Sequence, residues 1–100
     1  MLVYEVTATV PLSDEIRYRA WLRRHIAEIF ALPGFTGVKT WQVQDAPAGC
    51  FRSCCQYSLS SPEALQNYLR DHAPRLREEA MSLFGASLSA ERRVMHDLSL

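Results

Sequence analysis

The chain has no surplus of either charge: its eleven basic residues cancel its eleven acidic ones. It therefore lacks the broad positive field that draws proteins onto nucleic acid, and no nucleic-acid partner is expected. Without net repulsion, copies of it associate easily. No apolar run reaches membrane-spanning length, so no membrane partner is expected. The N-terminal Met1-Leu2-Val3-Tyr4-Glu5-Val6 has neither the basic start nor the small-residue cleavage site of a signal peptide. Cysteines are few and unpatterned: Cys50, Cys54 and Cys55 match no zinc or C-x-x-C redox spacing. Neighbouring residues in a strand point to opposite faces, so Cys54 and Cys55 cannot both ligate one ordinary metal site. The reading is free thiols in a reducing cytoplasm, with no metal and no cofactor. No complete catalytic motif occurs, so enzymatic activity is not the leading reading. Linkers, repeats and low-complexity segments are also missing, and residues 1–100 read as a single domain.

What the chain does have is clear periodicity. Leu2 to Val10 alternates, with Leu2, Tyr4, Val6, Ala8 and Val10 on an apolar face. Pro11-Leu12 ends this strand, and Ser13 suits the N-cap of a helix from Asp14 to Phe30. The helix stripe is Tyr18, Trp21/Leu22, His25/Ile26 and Ile29. After Leu32-Pro33-Gly34, Phe35 to Gln44 alternates again. This alternation predicts that Phe35, Gly37, Lys39 and Trp41 share the helix-covered side. A hairpin loop leads to a third strand, Cys50 to Leu59, with Phe51, Ser53, Cys55, Tyr57 and Leu59 inward. Ser60-Ser61-Pro62-Glu63 opens a second helix, through a Ser61 cap or a capping box of Ser60 and Glu63. Its stripe is Leu65, Tyr68/Leu69, His72, Leu76, Ala80 and Leu83/Phe84, and Gly85 stops it. Ala86 to His96 is the last strand, with Leu88, Ala90, Arg92 and Val94 on one side.

The order βαββαβ, with right-handed crossovers, predicts an α+β ferredoxin-like sandwich. Its four-stranded antiparallel sheet carries two helices on one face. The helix-free face reads as short polar groups with few long charges beyond Glu5 and Arg52. That composition suits a wet sheet-on-sheet contact, so a homodimer through this face, closing a dimeric α+β barrel, is expected. Tyr4, Trp41, Phe51 and Tyr57 are all placed on the helix side, which leaves no aromatic platform for RNA.

Two features fall outside a simple core. Polar residues sit in inward phase: His25 and His72 on the helices, Lys39, Tyr57 and Arg92 on the strands. Each has an ordinary account as a hydrogen-bonded, paired or snorkelling side chain. Together they would line a cleft for a small polar or anionic ligand. The second feature is His72-Ala73-Pro74-Arg75-Leu76-Arg77, where the proline interrupts a helix and arginines open the next turn. Cations at a helix start oppose its dipole and call for a negative partner, either Asp71 or a bound anion. Arg75 therefore joins the candidate ligand residues.

Several of these segments resemble a family of small bacterial proteins, domain-of-unknown-function family 4286. They are Val3-Tyr4-Glu5-Val6, Tyr18-x-x-Trp21-Leu22-x-x-His25-Ile26, Phe35 with Lys39, Gln56-Tyr57, the hexapeptide, Phe84-Gly85 and Arg92. The resemblance spans nearly the whole chain and implies no catalytic residues. The fold also resembles the dimeric α+β barrels, which include cofactor-free monooxygenases, isomerases and haem-degrading enzymes. That group places ligands between sheet and helices, though fold alone does not fix chemistry. Three functions stay open: small-ligand binding, a non-catalytic oligomerisation or partner-binding module, and a cofactor-independent enzyme with His25 or His72 as base.

Overall fold

β1 (Leu2–Pro11) is the spine of the sheet, paired antiparallel with β3 (Cys50–Leu59) on one side and β4 (Ser89–His96) on the other. β2 (Phe35–Gln42) closes the far edge, giving the order β2-β3-β1-β4. The computed structural model describes residues 1–100. α1 (Glu15–Phe30), α2 (Pro62–Asp71) and α3 (Ala73–Phe84) cover one face. This is the expected ferredoxin-like arrangement with three helices rather than two, because the hexapeptide splits the second.

Local chemistry accounts for the helix ends. The Ala64 amide donates to Ser61 Oγ at 3.1 Å, with Pro62 in the first turn, so α2 uses the serine cap rather than the capping box. Ser13 does not cap α1. Residues Leu12–Asp14 form a 3-10 turn instead, and the Asp14 carboxylate accepts from Arg17 and Ser87. His72 stands between α2 and α3 with φ −127° and ψ −39°. Its amide still donates to the Tyr68 carbonyl and its carbonyl accepts from the Leu76 amide. The chain thus kinks without separating, and Pro74 sits where a first turn needs no amide donor.

At the kink itself the buried position moves by one residue. Ala73, 0 % exposed, takes the core position expected for His72, and His72 is half-buried at the flank. Leu65, Tyr68, Leu76, Ala80 and Phe84 are buried as their spacing predicts.

β2 departs from its simple alternation. Phe35 pairs with Leu59 and Gly37 with Ser58, so Thr36 is an extra residue, a β-bulge. Beyond it every side chain changes face. Val38 and Thr40 pair with the inward Tyr57 and Cys55, whereas Lys39 and Trp41 pair with the outward Gln56 and Cys54. Lys39 is therefore not in the helix-covered layer. Trp41, 56 % exposed, is an aromatic on the helix-free face, contrary to the expectation that none projects there.

That face is also more charged than its expected composition, because Arg93 of β4 pairs with Glu5 of β1. A row of hydrogen bonds crosses all four strands. Arg93 Nε donates to Glu5 Oε1 at 2.6 Å, Gln56 Nε2 to Glu5 Oε2 at 2.9 Å, and Trp41 Nε1 to Gln56 Oε1 at 3.0 Å. Glu5 is 6 % exposed, and the Arg93 and Gln56 hydrogen bonds hold its carboxyl below the usual carboxylate range.

Candidate functional site

The core between sheet and helices comes in two clusters. One gathers Leu2, Tyr4, Ile29, Phe35, Tyr57, Leu65, Tyr68, Ala73 and Leu76, among others. The other gathers Ala8, Val10, Tyr18, Trp21, Phe51, Ala80 and Phe84. A domain of this size ordinarily has one contiguous core. Here a cleft borders both clusters. Its volume is about 60 Å³, which limits what it can fully engulf to a few atoms.

The lining follows from the fold. Ala8 and Ala90 face each other across β1 and β4, and Ala80 lies on α3 above them. Three methyl-sized side chains leave the gap. All four tyrosines of the chain, Tyr4, Tyr18, Tyr57 and Tyr68, contribute walls. Burial pushes Tyr18 and Tyr68 up to about 12 and Tyr57 still higher, so these three phenols stay protonated in the physiological range. Burial likewise raises Cys55 to about 11, which leaves an inert thiol rather than a nucleophile. His25 stacks on Trp21 at 4.5 Å, and the Trp21 indole N–H donates to Glu79. Burial lowers the His25 pKa against the pull of Glu28 and Glu79, so its imidazole is neutral at pH 7. At the rim are the exposed Arg77 and Arg92. No Asp or Glu lines the space.

A family model described as Domain of unknown function (DUF4286) matches residues 1–98. The chain belongs to this family. Among curated proteins none matches this DUF4286 chain in sequence. Solved structures resemble it in fold. A Deinococcus radiodurans protein, provisionally named an antibiotic biosynthesis monooxygenase, has a TM-score of 0.75 at 11% identity, covering 100% of this chain and 95% of its own. SnoaB, a cofactor-independent oxygenase from Streptomyces nogalater, has a TM-score of 0.68 at 12% identity, covering 99% and 95%. The de novo designed protein Foldit4 reaches 0.64 at 14% identity, covering 97% and 98%. A designed protein among the neighbours illustrates why the fold by itself assigns no chemistry.

The DUF4286 chain brings three of its six candidate ligand residues together: His25, Tyr57 and Arg92 all line the cleft. The other three lie elsewhere. Lys39 is on the opposite face of the sheet, turned there by the Thr36 bulge. His72 lies in a separate surface groove with Gly34, Ser60 and Asp71, because Ala73 took its inward place. Arg75 is on the surface, where its Nη1 donates to Glu28 Oε1 at 2.8 Å.

That ion pair also bears on the arginines at the start of α3. Asp71 is not their partner. Asp71 is engaged by Arg70 through two hydrogen bonds of 2.8 and 2.9 Å, Arg75 reaches across to α1, and Arg77 donates to the Tyr4 hydroxyl at 3.1 Å. Arg77, Tyr4, Tyr18 and Tyr68 are the polar lining residues that the sequence did not single out as ligand candidates. The available signal was that all four tyrosines fall in inward phase on four different elements. No helix of the chain is long and apolar enough to cross a membrane.

Proposed function

We propose that this DUF4286 protein binds a small organic molecule in the cleft between sheet and helices. The observation that carries the reading is the division of the core by a tyrosine-lined space whose rim holds charged groups and whose floor is three alanines. A close-packed interior has few voids larger than a water molecule. A void that opens through a polar rim is the ordinary design of a ligand site. The enclosed space takes a small apolar end of the ligand, and the remainder lies in the open cleft. A catalytic reading has one observation in its favour, a neutral His25 on the cleft wall that could accept a proton. No carboxylate forms an ion pair with that imidazole, so binding is the reading put forward. Thermal unfolding with millimolar benzyl alcohol, benzamide and benzoate tests it. A compound at about ten times its Kd adds about 1.4 kcal/mol, or several degrees for a domain of this length. Unchanged transitions with all three would refute the reading.

The second part of the proposal is a homodimer through the helix-free face. What supports it is that face's mixture of small polar groups with a ready-made hydrogen-bond row over a buried Glu5. Thr7, near the middle of β1, points outward there beside Cys54 and Glu91. Light scattering is expected to give twice the 11.4 kDa chain mass for the wild type, and the single mass for a folded Thr7→Lys variant. A wild-type monomer at high micromolar concentration would eliminate the dimer.

A further inference from the structure

The chain's eleven cations sort into two groups. Arg17, Arg19, Arg70, Arg75 and Arg93 each have a carboxylate within ion-pair distance. The rest have none. Of these, Arg77 and Arg92 lie at the cleft, one from α3 and one from the edge strand β4. Both line the same space as Tyr4 and Tyr68. Arg77 is also tied to the interior. Its Nη2 donates to the buried Tyr4 hydroxyl at 3.1 Å, so that oxygen is used as an acceptor and its own proton is free for another partner.

Resting on the proposed cleft-binding function, we infer that Arg77, Arg92 and the Tyr4 hydroxyl form an anion subsite that selects ligands bearing a carboxylate. Two guanidiniums supply charge and paired N–H donors, and the phenol supplies a short, directional donor from below. Nothing acidic in the lining competes for them or repels the ligand. The apolar end of the ligand points the other way, toward Ala8, Ala80 and Trp21. Orientation and charge selection thus come from opposite ends of one cleft. A neutral molecule of the same shape would fill the apolar end and leave the arginines in water.

Calorimetric titration of the full chain with benzoate and with its neutral isostere benzamide tests this. Benzoate is expected to bind on the order of 10-fold tighter, the value of one hydrogen-bonded charge. Arg77→Gln and Arg92→Gln, both at exposed positions, should bring benzoate to the benzamide level and leave benzamide unchanged. Tyr4→Phe removes one oxygen and keeps the ring in the core, so it should weaken benzoate several-fold and spare benzamide. Equal affinities in the wild type, or a benzoate preference that survives the double arginine variant, would overturn the subsite. Benzamide binding alone overturns the subsite and leaves the cleft-binding reading standing. Binding of neither, with benzyl alcohol also without effect, overturns both.

Discussion

A Tyr57→Ala variant is expected to lose about 3–5 kcal/mol of unfolding free energy. Tyr57 lies in the middle of β3, paired with Tyr4 on β1 and Val38 on β2, and is 2 % exposed. Its ring meets Phe35 edge-on at 5.8 Å and Tyr4 at 6.4 Å. Truncation removes these contacts and enlarges a gap that the alanines already leave open, so the surroundings have little with which to refill it. Against a total stability of about 5–15 kcal/mol, the loss is about a fifth at the least and can reach the whole. Tyr57→Phe keeps the ring and is expected to cost no more than about 1.5 kcal/mol. Burial keeps the phenol neutral through the physiological range, so neither variant should change how stability responds to pH near neutrality. Urea unfolding measures both: the alanine midpoint should fall with its slope unchanged. A loss below about 1 kcal/mol for alanine would mean that the ring is not a core element.

The sequence reading succeeded where period and punctuation agree. β1 and β3 pair in unbroken register, with β1 ended by Pro11 and β3 flanked by Gly49 and Ser60. Ser61-Pro62 announced the start of α2. It failed where one residue breaks the count. Thr36 is a single insertion in β2 whose only local mark is the neighbouring Gly37, and it reversed the face of Lys39 and Trp41. His72 is likewise a single irregular residue. It moved the core position to Ala73, and four residues on, Arg77 came to the same side as the cleft. Two of the six candidate ligand residues, Lys39 and His72, were misplaced by these two local slips. Arg75 was lost for a different reason: the Arg75–Glu28 pair joins two helices far apart in sequence, and no spacing rule encodes such a pair. The cleft itself depends on three alanines from β1, α3 and β4 facing one another, which becomes visible only once strand register and helix position are known.

That alanine floor gives the sharpest test of whether the cleft has a purpose. Ala8→Val is expected to leave stability within about 1 kcal/mol of wild type and to weaken benzoate and benzamide alike by at least about 10-fold. Ala8 is buried and faces Ala90, so the two added carbons enter the empty space rather than solvent. Each buried carbon contributes about 0.8 kcal/mol, and a β-branched residue suits a strand. Crowding in so small a space offsets part of this gain. The rim arginines and Tyr4 are untouched, so a ligand held only at the surface would still bind. Undiminished binding by Ala8→Val would place the ligand outside the cleft and remove the ground for the proposed function. Lost binding at equal or higher stability would show that the chain keeps a gap it could have filled. Such a gap is retained at the expense of packing, as expected where a site and a core compete for the same residues.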